Sequence, residues 1–249
     1  MTVILNTWIF ENDIKKGIKQ SDLINRVAKL KVDGIEVRRE YFTSFTEELP
    51  IIASKAQESG LIVNYSVPDQ IFLENGDLNP ELMTYFDEGL LMGIDKIKFN
   101  LGSFNKFNGD LAEVFSAFPL EQITMNIEND QTKLSGSADA LIKFLSCAKE
   151  NNVRVGFVYD LGNWAFTKQD PIASADLLAP YTDYIHLKNT LADSTDNLKT
   201  SSDLEQGMYD WRRVLDHLPQ DAPCAIEYPM ENDALVESQI LLLKKKLGE

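Results

Sequence analysis

Cysteine and histidine are scarce in this chain of 249 residues, which contains two of each. Cys147 and Cys224 form no CxxC pair, so neither a disulfide framework nor a thiolate-rich metal site is indicated. We expect two reduced, structural thiols in a cytoplasmic protein. Of the two histidines, His217 lies late in the predicted helix WRRVLDHLP and is expected at the surface or as a helix cap.

Positive charge is also in short supply, with 24 Lys and Arg against 39 Asp and Glu and a net charge of −15. A chain this acidic repels phosphate backbones, so nucleic acid is not expected as a partner. No apolar run reaches the roughly 20 residues of a membrane span, and MTVILNTWIFEND lacks the features of a signal peptide. Membrane association is therefore not expected either.

Short β-branched runs alternate with amphipathic stretches from one end of the chain to the other. The runs are TVILNTWIF, DGIEVRRE, LIVNYSVP, KIKFNLG, QITMNIEN, VRVGFVYD, DYIHLKN and CAIEYP. Apolar residues between them recur at helical spacing, and the last helix is predicted from about Asp233 to Leu247. This alternation predicts an α/β fold, a (β/α)8 TIM barrel, as a single domain over residues 1–249.

An open doubly wound sheet is the alternative fold. No GxGxxG motif or other glycine-rich phosphate loop follows any predicted strand, which argues against it. The least regular stretch is the Ser/Thr/Asp-rich segment 189–207 after the seventh strand. It is expected to be a long loop over the barrel mouth.

Four side chains suited to one divalent metal stand at the ends of four successive predicted strands. They are Glu128 in ITMNIEND, Asp160 in VGFVYDLGNW, His186 in DYIHLKN and Glu227 in CAIEYP. The C-terminal strand ends of a TIM barrel meet at one rim and carry its active site. One such carboxylate is easily explained by a salt bridge or a helix cap, but four consecutive strand ends are not. The pattern therefore predicts a metal enzyme.

These strand ends resemble the xylose isomerase-like TIM barrels, a broad group of sugar and sugar phosphate isomerases and epimerases. The matching motifs are IEN at Glu128, DLGN at Asp160, HLKN at His186 and the strand 225–227, with GIEVRRE early and QGMYDW late. The similarity spans nearly the whole chain. It implies that Glu128, Asp160, His186 and Glu227 hold one divalent ion, manganese first, with magnesium, cobalt or zinc as alternatives.

The resemblance also implies proton transfer next to a carbonyl group of a small sugar or sugar-like substrate. The ion would stabilise an enediolate, and Glu128 and Glu227 would be the catalytic pair that removes and returns the proton. Return on the opposite face gives epimerisation, whereas return to the neighbouring carbon gives aldose–ketose isomerisation. Barrels of this group commonly form dimers, so the resemblance is compatible with a homodimer. No isolated apolar stripe in the sequence requires one.

Two departures from the group concern substrate handling. Many of its ketose epimerases carry a histidine shortly after the sixth-strand aspartate, where Asn163 stands here. They often carry an arginine after the seventh-strand histidine, but this chain has none from residue 155 to 211. The nearest cation to His186 is Lys188. The candidate substrate contacts are Lys188, Glu36, Arg38, Lys98, Asn163 and Trp8.

Most of these candidates have a structural alternative. Glu36 and Arg38 share a strand face, so they either contact substrate hydroxyl or anionic groups or form an internal ion pair. Lys98 either binds a substrate phosphate or carboxylate or neutralises the acidic site. Trp8, with Asn6 and Trp164, either forms an apolar wall for a sugar ring or packs the top of the barrel.

Three other functions are compatible with parts of the pattern. A lyase, for instance a dehydratase of a keto-cyclitol or related hydroxy-ketone, would begin with the same proton abstraction and expel a hydroxyl group. A non-catalytic sugar-binding barrel is a second alternative, against which the complete set of four ligands argues. An abasic-site endonuclease uses this fold with several zinc ions, but it needs more histidines and a basic surface.

Overall fold

The computed structural model describes residues 2–195 and 197–248, and in it eight parallel strands close into a barrel. The barrel strands are β1 (Val3–Asn6), β2 (Gly34–Arg38), β3 (Ile62–Phe72), β4 (Lys96–Gly102), β5 (Thr124–Glu128), β6 (Val155–Asp160), β7 (Thr182–Leu187) and β10 (Cys224–Ile226). A separate antiparallel hairpin contains β8 (Thr190–Ala192) and β9 (Leu198–Thr200). Their order around the barrel is β1, β10, β7, β6, β5, β4, β3 and β2. The predicted (β/α)8 barrel is confirmed.

Helices connect successive strands and cover the outside of the barrel. They are α1 (Glu11–Ile14), α2 (Gln20–Lys29), α3 (Phe45–Ser59), α4 (Leu82–Met92), α5 (Leu111–Phe115), α6 (Ala138–Glu150), α7 (Trp164–Thr167), α8 (Pro171–Leu178), α9 (Trp211–Leu215) and α10 (Asp233–Leu247). Gly60 and Gly93 end α3 and α4 with φ of 67°, a left-handed conformation that glycine adopts without steric cost. No described helix is long and apolar enough to cross a membrane.

Strand alternation divides the apolar residues between two sides of the barrel wall. Met125, Ile127, Ile185, Leu187 and Ile226 point outward and belong to the main core between sheet and helices. A second, small cluster lies on the opposite strand face and contains Ile4, Val158, Tyr184 and Ala225. Residues two positions further along these strands share that inward face. They are Asn6, Asp160, His186 and Glu227, which places them at the C-terminal mouth.

The segment 189–207 is more regular than the sequence indicates, because it contains the β8–β9 hairpin. Its turn is closed by Asp193, whose Oδ1 accepts hydrogen bonds from the backbone of Thr195 (2.8 Å) and Asn197 (3.0 Å). The base is fastened by Asn189, whose Nδ2 donates to the carbonyl oxygens of Leu204 (3.0 Å) and Tyr209 (2.8 Å). The expected irregular loop is therefore an anchored hairpin. Asp196 of this segment lies outside the described residues.

The two cysteines and the second histidine lie outside the cluster at the barrel mouth. Cys147 lies in α6 and Cys224 in β10, and they form no disulfide bond with each other. His217 follows α9, and its Nδ1 lies 2.7 Å from the carboxylate of Asp176 in α8. It therefore takes part in a contact between the outer helices.

Phe144 tests how far stability depends on the apolar layer between sheet and helices. It is fully buried, and its ring centroid lies 5.0 Å from that of Phe104 and 5.8 Å from that of Phe72. We expect Phe144→Ala to lower the free energy of unfolding in urea by about 3–5 kcal/mol, because it removes buried apolar area and leaves a cavity. Leu241→Ala, at a side chain that is 68% exposed, is the control and should change it by less than about 0.5 kcal/mol. Equal effects would contradict this assignment of the core.

Candidate metal centre

The four strand-end side chains converge at the C-terminal mouth of the barrel. Glu128 and Asp160 are the last residues of β5 and β6, His186 is the penultimate residue of β7, and Glu227 directly follows β10. Each offers one potential ligand atom, and these atoms lie within 4.8 Å of one another. All four residues are buried. Parallel strand pairing is the cause, since it aligns consecutive strand ends at one rim.

The imidazole of His186 lies in the middle of this cluster. Its Nδ1 lies 2.7 Å from Glu128 Oε1 and 3.2 Å from Glu227 Oε2. On the other side of the ring, Nε2 lies 3.1 Å from Oε2 of Glu36. The Tyr184 ring packs against the imidazole edge to face, with 4.9 Å between centroids. The ring is thus fixed on three sides.

The donor set fits a divalent cation. Glu128 Oε1, Asp160 Oδ2 and His186 Nδ1 are buried and lie in no regular hydrogen bond with a described residue, although Nδ1 lies 2.7 Å from Oε1 and the Lys188 ammonium lies 2.5 Å from Oδ2. Buried polar atoms are rarely left in this state, because each one costs about 1–3 kcal/mol. Three carboxylates and an imidazole that converge in this way are suitable ligands for a hard or borderline dication.

Buried ammonium groups contact the carboxylates of the cluster. Lys98 Nζ donates to Glu128 Oε2 at 2.7 Å. Lys188 Nζ lies 2.5 Å from Asp160 Oδ2 and 3.4 Å from Glu227 Oε2. Both lysines are almost fully buried, so their charges are weakly screened by solvent. Of the two alternatives for Lys98, the structure shows the neutralising contact.

Glu36 and Arg38 do not pair with each other. Arg38 Nη1 donates to Glu227 Oε1 at 2.7 Å, and its Nε donates to Glu40 at 2.7 Å. Glu36 instead accepts from Asn6 and contacts His186. The alternation of side chains along β2 predicts that both residues share one face, but it does not predict which residues they contact. Their contacts with His186 of β7 and with Glu227, directly after β10, are made across the barrel.

The tryptophans at the barrel top have different surroundings. Trp8 is half-buried, and its ring lies 5.4 Å from the Arg38 guanidinium carbon and 5.6 Å from Lys188 Nζ. Trp8 therefore stands next to the cations of the mouth. Trp164 is fully buried against Tyr159, with 5.6 Å between ring centroids. The structure places Trp164 in the packed interior. Of the three residues expected to form an apolar wall for a sugar ring, Trp164 is therefore not exposed to the mouth.

Asn163 and Asn129 join neighbouring strand ends. Asn163 Nδ2 donates to the Asn129 carbonyl oxygen at 2.7 Å, and the Asn163 backbone N–H donates to Asp160 Oδ1 at 3.1 Å. Asn129 exchanges two hydrogen bonds of 2.8 Å with the backbone of Asp160. Sequence reasoning gave Asn129 no role, although it directly follows Glu128 in the IEN motif. The sequence feature that could have indicated this role is a polar residue directly after the end of β5.

Burial and neighbouring charges shift the pKa values of the cluster. Burial disfavours a charged Glu128, but the Lys98 ammonium and the imidazole outweigh it and lower the pKa of Glu128 to about 2. Burial raises the pKa of Asp160 to about 7, and Lys188 offsets only part of this effect. Burial alone would lower the pKa of His186, but the surrounding carboxylates raise it well above its usual value. A cation must therefore displace protons from this site.

No protein-family model matches the chain, and no curated protein matches it. Among solved structures, the probable 3-DHS dehydratase AsbF, involved in petrobactin synthesis, from Bacillus anthracis has a TM-score of 0.70 at 14% identity, covering 98% of this chain and 99% of that one. An L-ribulose 3-epimerase has a TM-score of 0.73 at 14% identity, covering 100% of this chain and 95% of that one. A xylose isomerase-like TIM barrel/4-hydroxyphenylpyruvate dioxygenase fusion protein has a TM-score of 0.69 at 13% identity, covering 99% of this chain and 44% of that one.

The chain has the xylose isomerase-like TIM-barrel fold. This result confirms the fold that the resemblance of the strand-end motifs implies. Within this fold, the four converging residues lie at the C-terminal mouth, where TIM barrels place their active sites.

The pKa shifts predict that the affinity of this centre for Mn²⁺ rises with pH between about 6 and 8. Asp160, with a pKa of about 7, and His186, with a raised pKa, hold protons that the cation displaces. Because a higher pH removes these protons in advance, the apparent dissociation constant should fall. Calorimetric titration in two buffers of different ionisation enthalpy measures both the affinity and the number of protons released. A pH-independent affinity without proton release would contradict the prediction.

Proposed function

We propose that this chain is a divalent-metal-dependent isomerase or epimerase of a sugar or sugar phosphate, acting by proton abstraction next to a carbonyl group. The observation that carries the proposal is the convergence of Glu128, Asp160, His186 and Glu227, with potential ligand atoms within 4.8 Å of one another. The similarity to an L-ribulose 3-epimerase supports it. We infer a small sugar-like substrate, in keeping with a net charge of −15 that disfavours nucleic acid.

The four converging residues would hold the ion. Manganese is the first candidate, with magnesium, cobalt and zinc as alternatives, since oxygen-rich sites with one imidazole accept each of them. When bound, the ion supplies positive charge that stabilises the negative charge developing on the substrate oxygens.

Glu128 and Glu227 are the proposed catalytic pair. They come from β5 and β10, which β6 and β7 separate in the barrel, so the two carboxylates reach the centre from different sides. One carboxylate takes the proton from the carbon next to the carbonyl group; the electron pair of that C–H bond forms a carbon–carbon double bond, and the π pair of the carbonyl group moves to its oxygen. The other carboxyl group, after taking up a proton from solvent, delivers it to the opposite face while the carbonyl group re-forms, which inverts the carbon.

Cations hold both carboxylates in place for these steps. Lys98 binds Glu128 through Oε2, and Arg38 binds Glu227 through Oε1, each at 2.7 Å. The remaining oxygens, Glu128 Oε1 and Glu227 Oε2, are the ones nearest the imidazole Nδ1. The two cations thus orient the second oxygen of each carboxylate towards the centre.

The proposed substrate contacts lie around Trp8. Its half-buried ring offers an apolar face on which the C–H groups of a sugar can stack. Lys188 and Arg38 flank this ring and are the proposed contacts for hydroxyl or anionic groups. Lys98 and Asn163 are proposed to act through Glu128 and Asn129, which they bind. The cytoplasm is the proposed location, supported by two cysteines that form no disulfide bond with each other, and a homodimer is the proposed assembly.

A dehydratase is the second candidate function. The similarity to the probable 3-DHS dehydratase AsbF favours it, as does Lys188, the nearest cation to His186 in a chain that lacks the arginine often found soon after the seventh-strand histidine. A dehydration starts with the same proton abstraction but also breaks a C–O bond, so the leaving hydroxyl group needs a proton. The Lys188 ammonium, 2.5 Å from Asp160, is the proposed donor.

Hydrogen exchange with solvent tests the proposed proton transfer. A panel of ketoses, ketose phosphates and hydroxy-ketones is incubated in D₂O with the manganese-loaded protein. For a substrate, we expect deuterium at the carbon next to the carbonyl group, and loss of the reaction after chelation. Glu128→Gln and Glu227→Gln should each slow exchange by about 10²–10⁴-fold, because each removes a proton-transfer group. Mass spectrometry separates an epimer or isomer from a product that has lost water.

Glu121→Gln is the matched control, since this side chain is 84% exposed and pairs with Arg154 on the outside of the barrel. It should exchange at the parent rate. Undiminished exchange after complete chelation, or in both active-site variants, would refute the proposed mechanism.

A further inference from the structure

We propose that Glu36 is a positioning residue that holds the His186 imidazole with Nδ1 directed at the metal centre. This inference rests on the proposed metal-dependent function. It gives Glu36 a role beneath the site, in place of the contact with substrate that its position on β2 suggested.

Glu36 is fully buried, and both of its carboxylate oxygens are engaged. Asn6 Nδ2 donates to Oε1, and His186 Nε2 lies 3.1 Å from Oε2. Asn6 and His186 are themselves fully buried. Because Glu36 has no exposed surface, it offers no oxygen to a molecule that enters the barrel mouth. A buried carboxylate is costly unless it is paired, and the imidazole is its pairing group here.

The carboxylate of Glu36 also determines which imidazole nitrogen carries hydrogen. An ionised carboxylate only accepts hydrogen bonds, so Nε2 of His186 must be the donor. In the neutral imidazole that a cation binds, Nδ1 then carries no hydrogen and presents its lone pair to the cation. A carboxylate that accepts from the remote nitrogen of a ligating histidine fixes the ring and makes it a better ligand.

The orientation of Asn6 makes this arrangement sensitive to a single atom. Its Oδ1 accepts from the backbone N–H of Trp8 at 2.9 Å, so its Nδ2 must face Glu36 and Glu227. In Glu36→Gln, the new side-chain carbonyl group would face the Asn6 donor. The new amide NH₂ group would then point at His186 Nε2 and force hydrogen onto Nδ1, where it blocks ligation.

We expect Glu36→Gln to weaken Mn²⁺ binding by about 10–100-fold, as measured by calorimetric titration of the chelator-treated protein. Pulsed electron paramagnetic resonance of the manganese-loaded protein should show coupling to a directly bound imidazole nitrogen in the parent. In Glu36→Gln at saturating Mn²⁺, this coupling should be lost or strongly reduced. Loss of a charge near the ion would weaken binding without removing the nitrogen signal, so the spectrum isolates the positioning role.

Glu48→Gln is the matched control. Glu48 in α3 is also fully buried, but its Oε1 accepts from the backbone and hydroxyl groups of Thr43, on the outside of the barrel. This variant should keep both the parent affinity and the nitrogen coupling. Thermal unfolding of the metal-free variants checks that both are folded.

The outcomes separate this inference from the proposed function. Parent protein that binds no Mn²⁺ would refute the metal site and the inference together. Parent-like affinity and nitrogen coupling in Glu36→Gln, with a parent that binds Mn²⁺, would refute the role of Glu36 alone. Equal losses in Glu36→Gln and Glu48→Gln would show a general effect of removing a buried carboxylate, and would also refute it.

Discussion

The structure depends on the neutralisation of four carboxylates that are buried in one barrel mouth. An isolated buried charge is expensive, and like charges held together add repulsion. Here every carboxylate is in contact with a cationic group or an imidazole nitrogen. A dication bound at the centre would complete this compensation. The acidic residues concerned are Glu36, Glu128, Asp160 and Glu227, and their partners are Arg38, Lys98, His186 and Lys188.

This network couples the site to closure of the barrel. Glu36 and His186 are 150 residues apart in sequence, and Arg38 and Glu227 are 189 apart. Such contacts form only when β2 has joined the strands of the C-terminal half. The apolar layer outside the barrel and the small cluster inside it therefore hold polar groups at fixed distances. In a metal or catalytic site, this pre-organisation lowers the cost of orienting the ligands.

Much of the fold and the four converging residues could be predicted from the sequence, for a simple physical reason. Alternation of β-branched runs with helical periodicity identifies the barrel, and parallel strands bring their C-terminal ends together, so Glu128, Asp160, His186 and Glu227 could be grouped without coordinates. Strand parity gives the face of a residue but not its partner. Glu36 and Arg38 were therefore expected either to contact substrate or to pair with each other, whereas the barrel directs them to His186 and Glu227.

Other features escaped prediction because they depend on polar contacts between loops. The β8–β9 hairpin is closed by the Asp193 side chain, and neither of its strands has an apolar alternation that would identify it. Asn129 and Asn163 bind each other at adjacent strand ends, which sequence spacing does not reveal. Trp164 follows Asp160 closely in the chain, yet it is fully buried at the start of the short helix α7 and packs against Tyr159, a burial that sequence spacing does not reveal.

The most direct test of the metal centre is anomalous X-ray diffraction from crystals of the protein grown with Mn²⁺. We expect one strong anomalous peak enclosed by Glu128, Asp160, His186 and Glu227, with Nδ1 as the imidazole ligand. Absence of a peak at these residues under saturating Mn²⁺ would contradict the account. The carboxylates among the four strand-end side chains would then belong to a charge-compensated polar cluster, neutralised by lysine, arginine and the imidazole of His186.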